Sequence, residues 1–207
     1  MLAVVDYGIG NLRSAQKAFE AIGEDAVLTS DHATILRADA VVLPGVGAFG
    51  RCVEALEVSG LRGVLSDVLE EQRPFLGICV GFQLLYEGST ESPGFAGLGV
   101  FQGTVSKLSG PVKVPQMQWN QLDRGTVGET TLLQGLDARP WVYFVHSFAP
   151  PVSAVTTATC DYGGAVTAMA GRGPVVGTQF HPEKSGPIGL AILENFVAAA
   201  KGQLPWS

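Results

Sequence analysis

Apolar positions in the first half of the chain follow two alternating spacings. Leu2 to Asp6 is a short, almost wholly apolar run, which predicts a strand buried on both faces. After the loop Tyr7-Gly8-Ile9-Gly10-Asn11, residues Leu12, Ala15, Phe19 and Ile22 recur at helical spacing, with Gly23 as the stop. Ala26 to Leu28 and Ala40 to Leu43 predict two more strands, the latter closed by Pro44. A helical stretch broken near Gly60 runs to about Leu69, Pro74 to Cys79 predicts a fourth strand, and Phe82 to Tyr86 opens another helix. Strands separated by helices imply parallel pairing with right-handed crossovers.

The second half changes character. Ser89 to Gly99 is rich in Gly, Ser and Pro and predicts a loop. Val100–Leu108, Trp141–Phe148, Ala154–Cys160, Ala165–Ala170 and Val175–Phe180 then read as strands with few helices between them, so mixed or antiparallel pairing is expected. A last helix, Pro187 to Ala200, carries Ile192, Leu193, Phe196, Val197 and Ala200 on one stripe. Neither half is set off by a linker, so residues 1–207 are expected to form one α/β domain.

Composition narrows the function classes. A hydrophobic content of 46% with 15% charged residues excludes disorder. A net charge of -6 with no basic run argues against a nucleic-acid surface. No apolar stretch approaches the roughly 18 residues of a membrane span, and the start of the chain lacks the charged region of a signal peptide. Cys52, Cys79 and Cys160 are widely spaced, which suits a reducing cytoplasm and offers neither a zinc cluster nor a disulfide framework; no metal or other cofactor is expected.

The strongest chemical signal is Gly77-Ile78-Cys79-Val80-Gly81, a thiol between two glycines, after a buried strand and before a helix. This is a nucleophile elbow, in which small flanking residues permit the sharp turn that presents the side chain. A helix start favours thiolate, and the Val80 N–H would face charge developing on a bound carbonyl oxygen. A thiol nucleophile needs a base. Pro182 biases His181 toward extended backbone, where Glu183 points the same way and can orient the imidazole. His32 reads as a surface residue near a helix start, His146 as a half-buried strand histidine, and Cys52 and Cys160 as structural. The loop Pro44-Gly45-Val46-Gly47-Ala48-Phe49-Gly50 follows a strand at the same sheet edge and can supply a second oxyanion N–H from Val46 or Gly47. It lacks the Gly-Lys-Ser/Thr of a P-loop, and Asp6-Tyr7-Gly8-Ile9-Gly10-Asn11 lacks the third glycine of a dinucleotide fingerprint.

Leu76-Gly77-Ile78-Cys79-Val80-Gly81-Phe82-Gln83 and Gln179-Phe180-His181-Pro182-Glu183 resemble the nucleophile and base motifs of the class I (triad-type) glutamine amidotransferases. Asp6–Asn11, Pro44–Phe49, Tyr143-Phe144-Val145-His146-Ser147-Phe148 and Glu183-Lys184-Ser185 are similar, more narrowly, to the glutaminase-subunit family of imidazole glycerol phosphate synthase, of histidine biosynthesis. The resemblance implies a flavodoxin-like, mostly parallel sheet flanked by helices, with glutamine as substrate. It implies Cys79 as nucleophile, His181 as base and Glu183 as its orienter, with Gly47, Gln83, Ser147 and Phe148 holding glutamine. It also implies a heterodimer with a (β/α)₈-barrel cyclase, with Asn11, Trp119 and Lys184 on the docking face. Two alternatives are a glutaminase of pyridoxal phosphate or anthranilate synthesis and a non-catalytic binding protein on the same fold. One departure is Met117-Gln118-Trp119-Asn120, where Gln118 occupies the family's glycine position and would be strained if that position needs positive φ.

Overall fold

The computed structural model describes residues 1–124 and 130–206. The first half alternates as the spacing predicts: β1 (Leu2–Val5), α1 (Leu12–Ala21), β2 (Ala26–Thr29), α2 (His32–Arg37), β3 (Ala40–Gly45), α3 (Phe49–Val58), α4 (Leu61–Glu70) and β4 (Phe75–Cys79). β1, β3 and β4 are buried along their whole length, as strands covered by helices on both faces must be. The break between α3 and α4 falls at Gly60, whose φ of 69° is left-handed. Beyond β4 come α5 (Val80–Gln83), β5 (Tyr86–Ser89), β6 (Phe101–Lys107), β7 (Gln116–Gln121), β8 (Asp123–Arg124), β9 (Trp141–His146), β10 (Phe148–Ala149), β11 (Thr156–Asp161), β12 (Ala165–Arg172), β13 (Val175–Thr178) and α6 (Gly186–Ala200).

The main sheet runs β2-β1-β3-β4-β13-β12-β11-β8. Its first five strands are parallel and its last three antiparallel. β13, from the half of the chain whose spacing suggested mixed pairing, lies parallel to β4 in the middle of the sheet, with Gly177 opposite Gly77. This register brings the carboxyl ends of two sequence-distant strands together. Loops after parallel strands gather at that edge, where ligands bind in open α/β sheets.

Several expectations are revised. The helix expected from Phe82 to Tyr86 starts at Val80 and lasts one turn, because Cys79 itself makes the turn. Tyr86 begins a strand, wedged between Phe82 and Phe101 with ring centroids 5.6 and 5.4 Å away. Ser89, read as loop, ends that strand. The expected strand Trp141–Phe148 divides at Ser147: β9 pairs with β7 in a separate two-stranded ribbon, and β10 pairs with β6. Gln118 and Trp119 lie on β7; among the described residues the non-glycine residues with positive φ are Gln72 and Cys79, so Gln118 carries no such strain.

Candidate active site

Cys79 has φ 56° and ψ -111°, a backbone state that costs a non-glycine residue on the order of 1–3 kcal/mol and is held only by its surroundings. The surroundings are tight. A Cβ on Gly81 would come within 1.8 Å of the Leu43 carbonyl oxygen, and one on Gly77 within 2.7 Å of the Gly81 oxygen. The two glycines of the motif are therefore demanded by close approach of β3, β4 and α5, and the thiol that results is buried at the carboxyl edge of the sheet. Its sulfur has the Val145 carbonyl oxygen at 4.0 Å and the Gln179 amide nitrogen at 3.8 Å.

His181 follows β13 and faces the same edge. Its Nδ1 lies 2.7 Å from Glu183 Oε1, with both side chains 2% exposed. The pairing matches expectation, but the route differs. Pro182–Lys184 form a 3-10 turn, so the turn brings the carboxylate under the ring where alternation along a strand was expected to. The other carboxylate oxygen, Oε2, is buried without a hydrogen bond among the described residues, so the charge is directed at the imidazole alone. Burial by itself would lower the His181 pKa; hydrogen bonding with Cys79 and Glu183, and their charges, outweigh it and raise the pKa to about 10. His181 is anchored from below: its backbone N–H donates to the Tyr143 carbonyl at 3.0 Å, and the Ser185 hydroxyl donates to its carbonyl at 2.7 Å.

These groups open onto a cavity of about 340 Å³ lined by Val46, Gly47, Cys79, Val80, Gln83, Ser147, Phe148, His181 and Lys184, together with Glu91, Pro115, Val145 and His146. Of the expected site residues, Glu183 stands behind His181, while Asn11 and Trp119 lie outside the cavity. Asn11 precedes α1 at the same edge, and Trp119 is on the ribbon, 48% exposed. Gln83 is buried, and its amide nitrogen donates to the Phe148 carbonyl at 2.9 Å and to Gln179 Oε1 at 3.0 Å, while its own oxygen has no hydrogen bond among the described residues. Among the described residues, no cluster of three His, Cys, Asp or Glu side chains could hold a metal.

Two lining groups carry more than their sequence suggests. Glu91 accepts the Phe49 N–H at 2.8 Å, folding the segment after β5 over the start of α3 and placing a carboxylate at the cavity. No local motif marks it. His146, expected half-buried, is buried, with Nδ1 2.9 Å from the Phe148 carbonyl and Nε2 2.9 Å from Gln116 Oε1. Burial lowers its pKa to about 4. A neutral ring that gives its Nδ1 hydrogen to Phe148 must accept at Nε2, so the end atoms of the Gln116 amide exchange places in that state. Phe148 thus has its carbonyl held by His146 and Gln83 together. Burial also raises the thiols of Cys52 and, to about 11, Cys160, in keeping with neither being a nucleophile.

The family model for class-I glutamine amidotransferases matches residues 3–200. The imidazole glycerol phosphate synthase subunit HisH of Bacillus cereus (strain G9842) is 46% identical over 197 residues, covering 95% of this chain and 93% of the relative. The HisH subunit of Syntrophotalea carbinolica is 45% identical over 205 residues, covering 95% and 98%. A crystal structure of a glutamine amidotransferase superposes with a TM-score of 0.75 at 17% identity, over 96% of this chain and 98% of the other, a likeness of fold.

Proposed function

This chain belongs to the class-I glutamine amidotransferase family and, within it, groups with the HisH subunits, and from that premise we propose how its residues do the work. The protein hydrolyses glutamine to glutamate and ammonia as the glutaminase subunit of an imidazole glycerol phosphate synthase, in histidine biosynthesis. Residues 1–207 act as a single catalytic domain in the cytoplasm. The observation that carries the assignment of roles is the buried Cys79–His181–Glu183 arrangement at one end of the 340 Å³ cavity.

The substrate γ-amide carbon sits over Cys79. His181, with its raised pKa, already holds the thiol proton as imidazolium, the sulfur bonds to the carbon, and the carbonyl oxygen becomes an oxyanion facing the N–H groups of Gly47 and Val80. His181 then gives its proton to the amide nitrogen, the C–N bond breaks, and ammonia leaves. Water, deprotonated by the same imidazole, attacks the thioester and releases glutamate with the regenerated thiol. Glu183 holds the ring and stabilises the imidazolium without accepting its proton. Glu91 faces the substrate ammonium, and Gln83 presents its free oxygen while fixing Phe148.

Ammonia passes to a cyclase subunit with a (β/α)₈ barrel. The docking face is the outer side of the β7–β9 ribbon. Register places Met117 opposite Val145, Trp119 opposite Tyr143 and Gln121 opposite Trp141, and Met117, Trp119 and Trp141 are 62%, 48% and 52% exposed. So much aromatic surface beside exposed Lys184 and partly exposed Asn11 is the composition of an interface centre.

The test measures glutamate release from glutamine with and without the cyclase subunit, for wild type and Cys79→Ala, with a glutamine-analogue adduct mapped on the wild-type protein. Hydrolysis in the wild type, an adduct on Cys79 and no turnover by folded Cys79→Ala are expected. Normal turnover by that variant overturns the assignment; absence of an adduct would leave a non-catalytic binding protein.

A further inference from the structure

Gln179 opens the sequence motif that supplies His181 and Glu183, and the triad leaves it without a role. Its side chain is fully buried, behind Cys79 and Gln83, which line the cavity. Burying an amide is costly unless its donor and acceptor are used. Gln179 Nε2 donates to the Cys79 sulfur at 3.8 Å, and Oε1 accepts from Gln83 Nε2 at 3.0 Å. The residue directly follows β13, whose parallel register sets Thr178 opposite Ile78, so Gln179 leaves the sheet beside Cys79. Its backbone N–H is held by the Ala168 carbonyl on β12 at 2.8 Å.

The direction of that amide is not free. The nitrogen and oxygen of an amide have nearly the same shape, so hydrogen-bond partners decide which end faces which. The Phe148 carbonyl can only accept, and it takes one N–H of Gln83 at 2.9 Å. This pins the Gln83 nitrogen, whose second N–H points at Gln179. The Gln179 oxygen must meet it, and the Gln179 nitrogen must then face the sulfur. Turning Gln83 over sets its oxygen against the Phe148 oxygen. Turning Gln179 over sets nitrogen against nitrogen and an oxygen against the sulfur. The sulfur thus has a partner for each of its states: the Val145 carbonyl, at 4.0 Å, accepts from a thiol, and the Gln179 N–H donates to a thiolate.

We propose that Gln179 is a thiolate donor, its N–H aimed by the Phe148–Gln83 chain so that it stabilises the charged sulfur of Cys79 from the buried side. The assignment rests on the glutaminase reading above, in which Cys79 attacks as thiolate. A hydrogen bond to the charged form favours that form, and one to an ion is roughly twice as strong as one between neutral groups. Gln179 touches the reacting atom and is catalytic; Gln83, besides its place against the substrate, positions it.

The experiment follows alkylation of Cys79 by iodoacetamide against pH, read by mass at that residue, in wild type, Gln179→Met, Gln83→Met and the double variant, with unfolding temperatures and kcat for glutamine. Methionine keeps the length of the side chain and carries no N–H. Gln179→Met is expected to move the midpoint of the profile up by about one pH unit, the size of one hydrogen bond to an ion, and to lower kcat about tenfold. Gln83→Met leaves Gln179 free to turn over and moves the midpoint part of the way. The double variant moves no further than Gln179→Met, since both act through one donor. His181, Tyr7 and Cys52 interact electrostatically with the sulfur, and Glu91, His146 and Lys184 share its cavity; all are common to the set, so differences between profiles read the amide. An unmoved midpoint in Gln179→Met overturns the proposal, and so do additive shifts in the double variant. Should Gln179→Met fail to fold, the wild type decides: the side-chain amide protons of Gln179, followed by NMR, must titrate with the alkylation midpoint, and resonances that stay still overturn the donor. Should the wild type hydrolyse no glutamine, the glutaminase reading falls, and the alkylation profiles still decide the role of the amide.

Discussion

A single buried carboxylate–imidazole pair, Glu183 with His181, carries the proposed general-base chemistry. Among the described residues Glu183 hydrogen-bonds only to His181 Nδ1, so the role proposed for it is orientation and charge. Glu183→Gln is expected to lower the rate of acyl-enzyme formation about 10–100-fold, and His181→Ala about 1,000-fold or more; equal or reversed losses in single-turnover measurements would contradict these roles. The two buried histidines oppose each other in stability. His181 has a raised pKa, so its stabilisation is complete below about pH 6.5 and lost as pH rises through about 10. His146 has a lowered pKa, so the unfolded chain binds its proton first and stability is lost as pH falls from about 6.5 to about 4. The His146 effect is on the order of 3 kcal/mol at full extent. Denaturant unfolding at pH 7, 5 and 4 should show a steeper loss for wild type than for His146→Asn, and parallel slopes would refute the buried neutral ring.

At the level of elements, the elbow and α4 give opposite expectations for the same substitution. Gly81→Ala drives a Cβ into the Leu43 carbonyl and should cost at least about 2–3 kcal/mol as well as activity. Gly63→Ala, in the exposed middle of α4 with open space around it, should stabilise by about 0.5–1 kcal/mol. Thermal melts of the two variants check both signs. The elbow was legible in sequence because its glycines and thiol are consecutive, and β1, β3 and α6 were legible because their burial follows one period throughout. The ribbon was not. In Gln116-Met117-Gln118-Trp119-Asn120-Gln121 the buried residue is the polar Gln116, while Met117 and Trp119 are exposed, the reverse of ordinary strand patterning. Gln116 is accommodated because it pairs with His146, 30 residues away. Glu91 was equally hidden, since its position depends on a segment folding back onto α3.

Across the whole molecule, the exposed ribbon and the catalytic edge form one continuous side. Trp119→Ala and Lys184→Ala should each weaken association with the cyclase by about tenfold or more, as removal of an interface anchor does. Alkylation of Cys79 by a glutamine analogue should persist. Calorimetric titration checks the first expectation and adduct mass the second; wild-type affinity in both variants would place the docking face elsewhere. The sheet order that unites the site also governs how the chain is made. Gln179 follows Cys79 by 100 residues, yet β4, which ends in Cys79, and β13, which ends just before Gln179, are neighbours. At translation speeds of about 5–20 residues per second, β4 emerges roughly 5–20 s before β13 exists to cover it. Through that interval Phe75-Leu76-Gly77-Ile78 borders an open, apolar sheet edge, the kind of surface that draws in another unfinished chain. A nascent polypeptide therefore holds Cys79 long before His181. On the proposed assignment of roles, it cannot consume glutamine until synthesis is nearly finished.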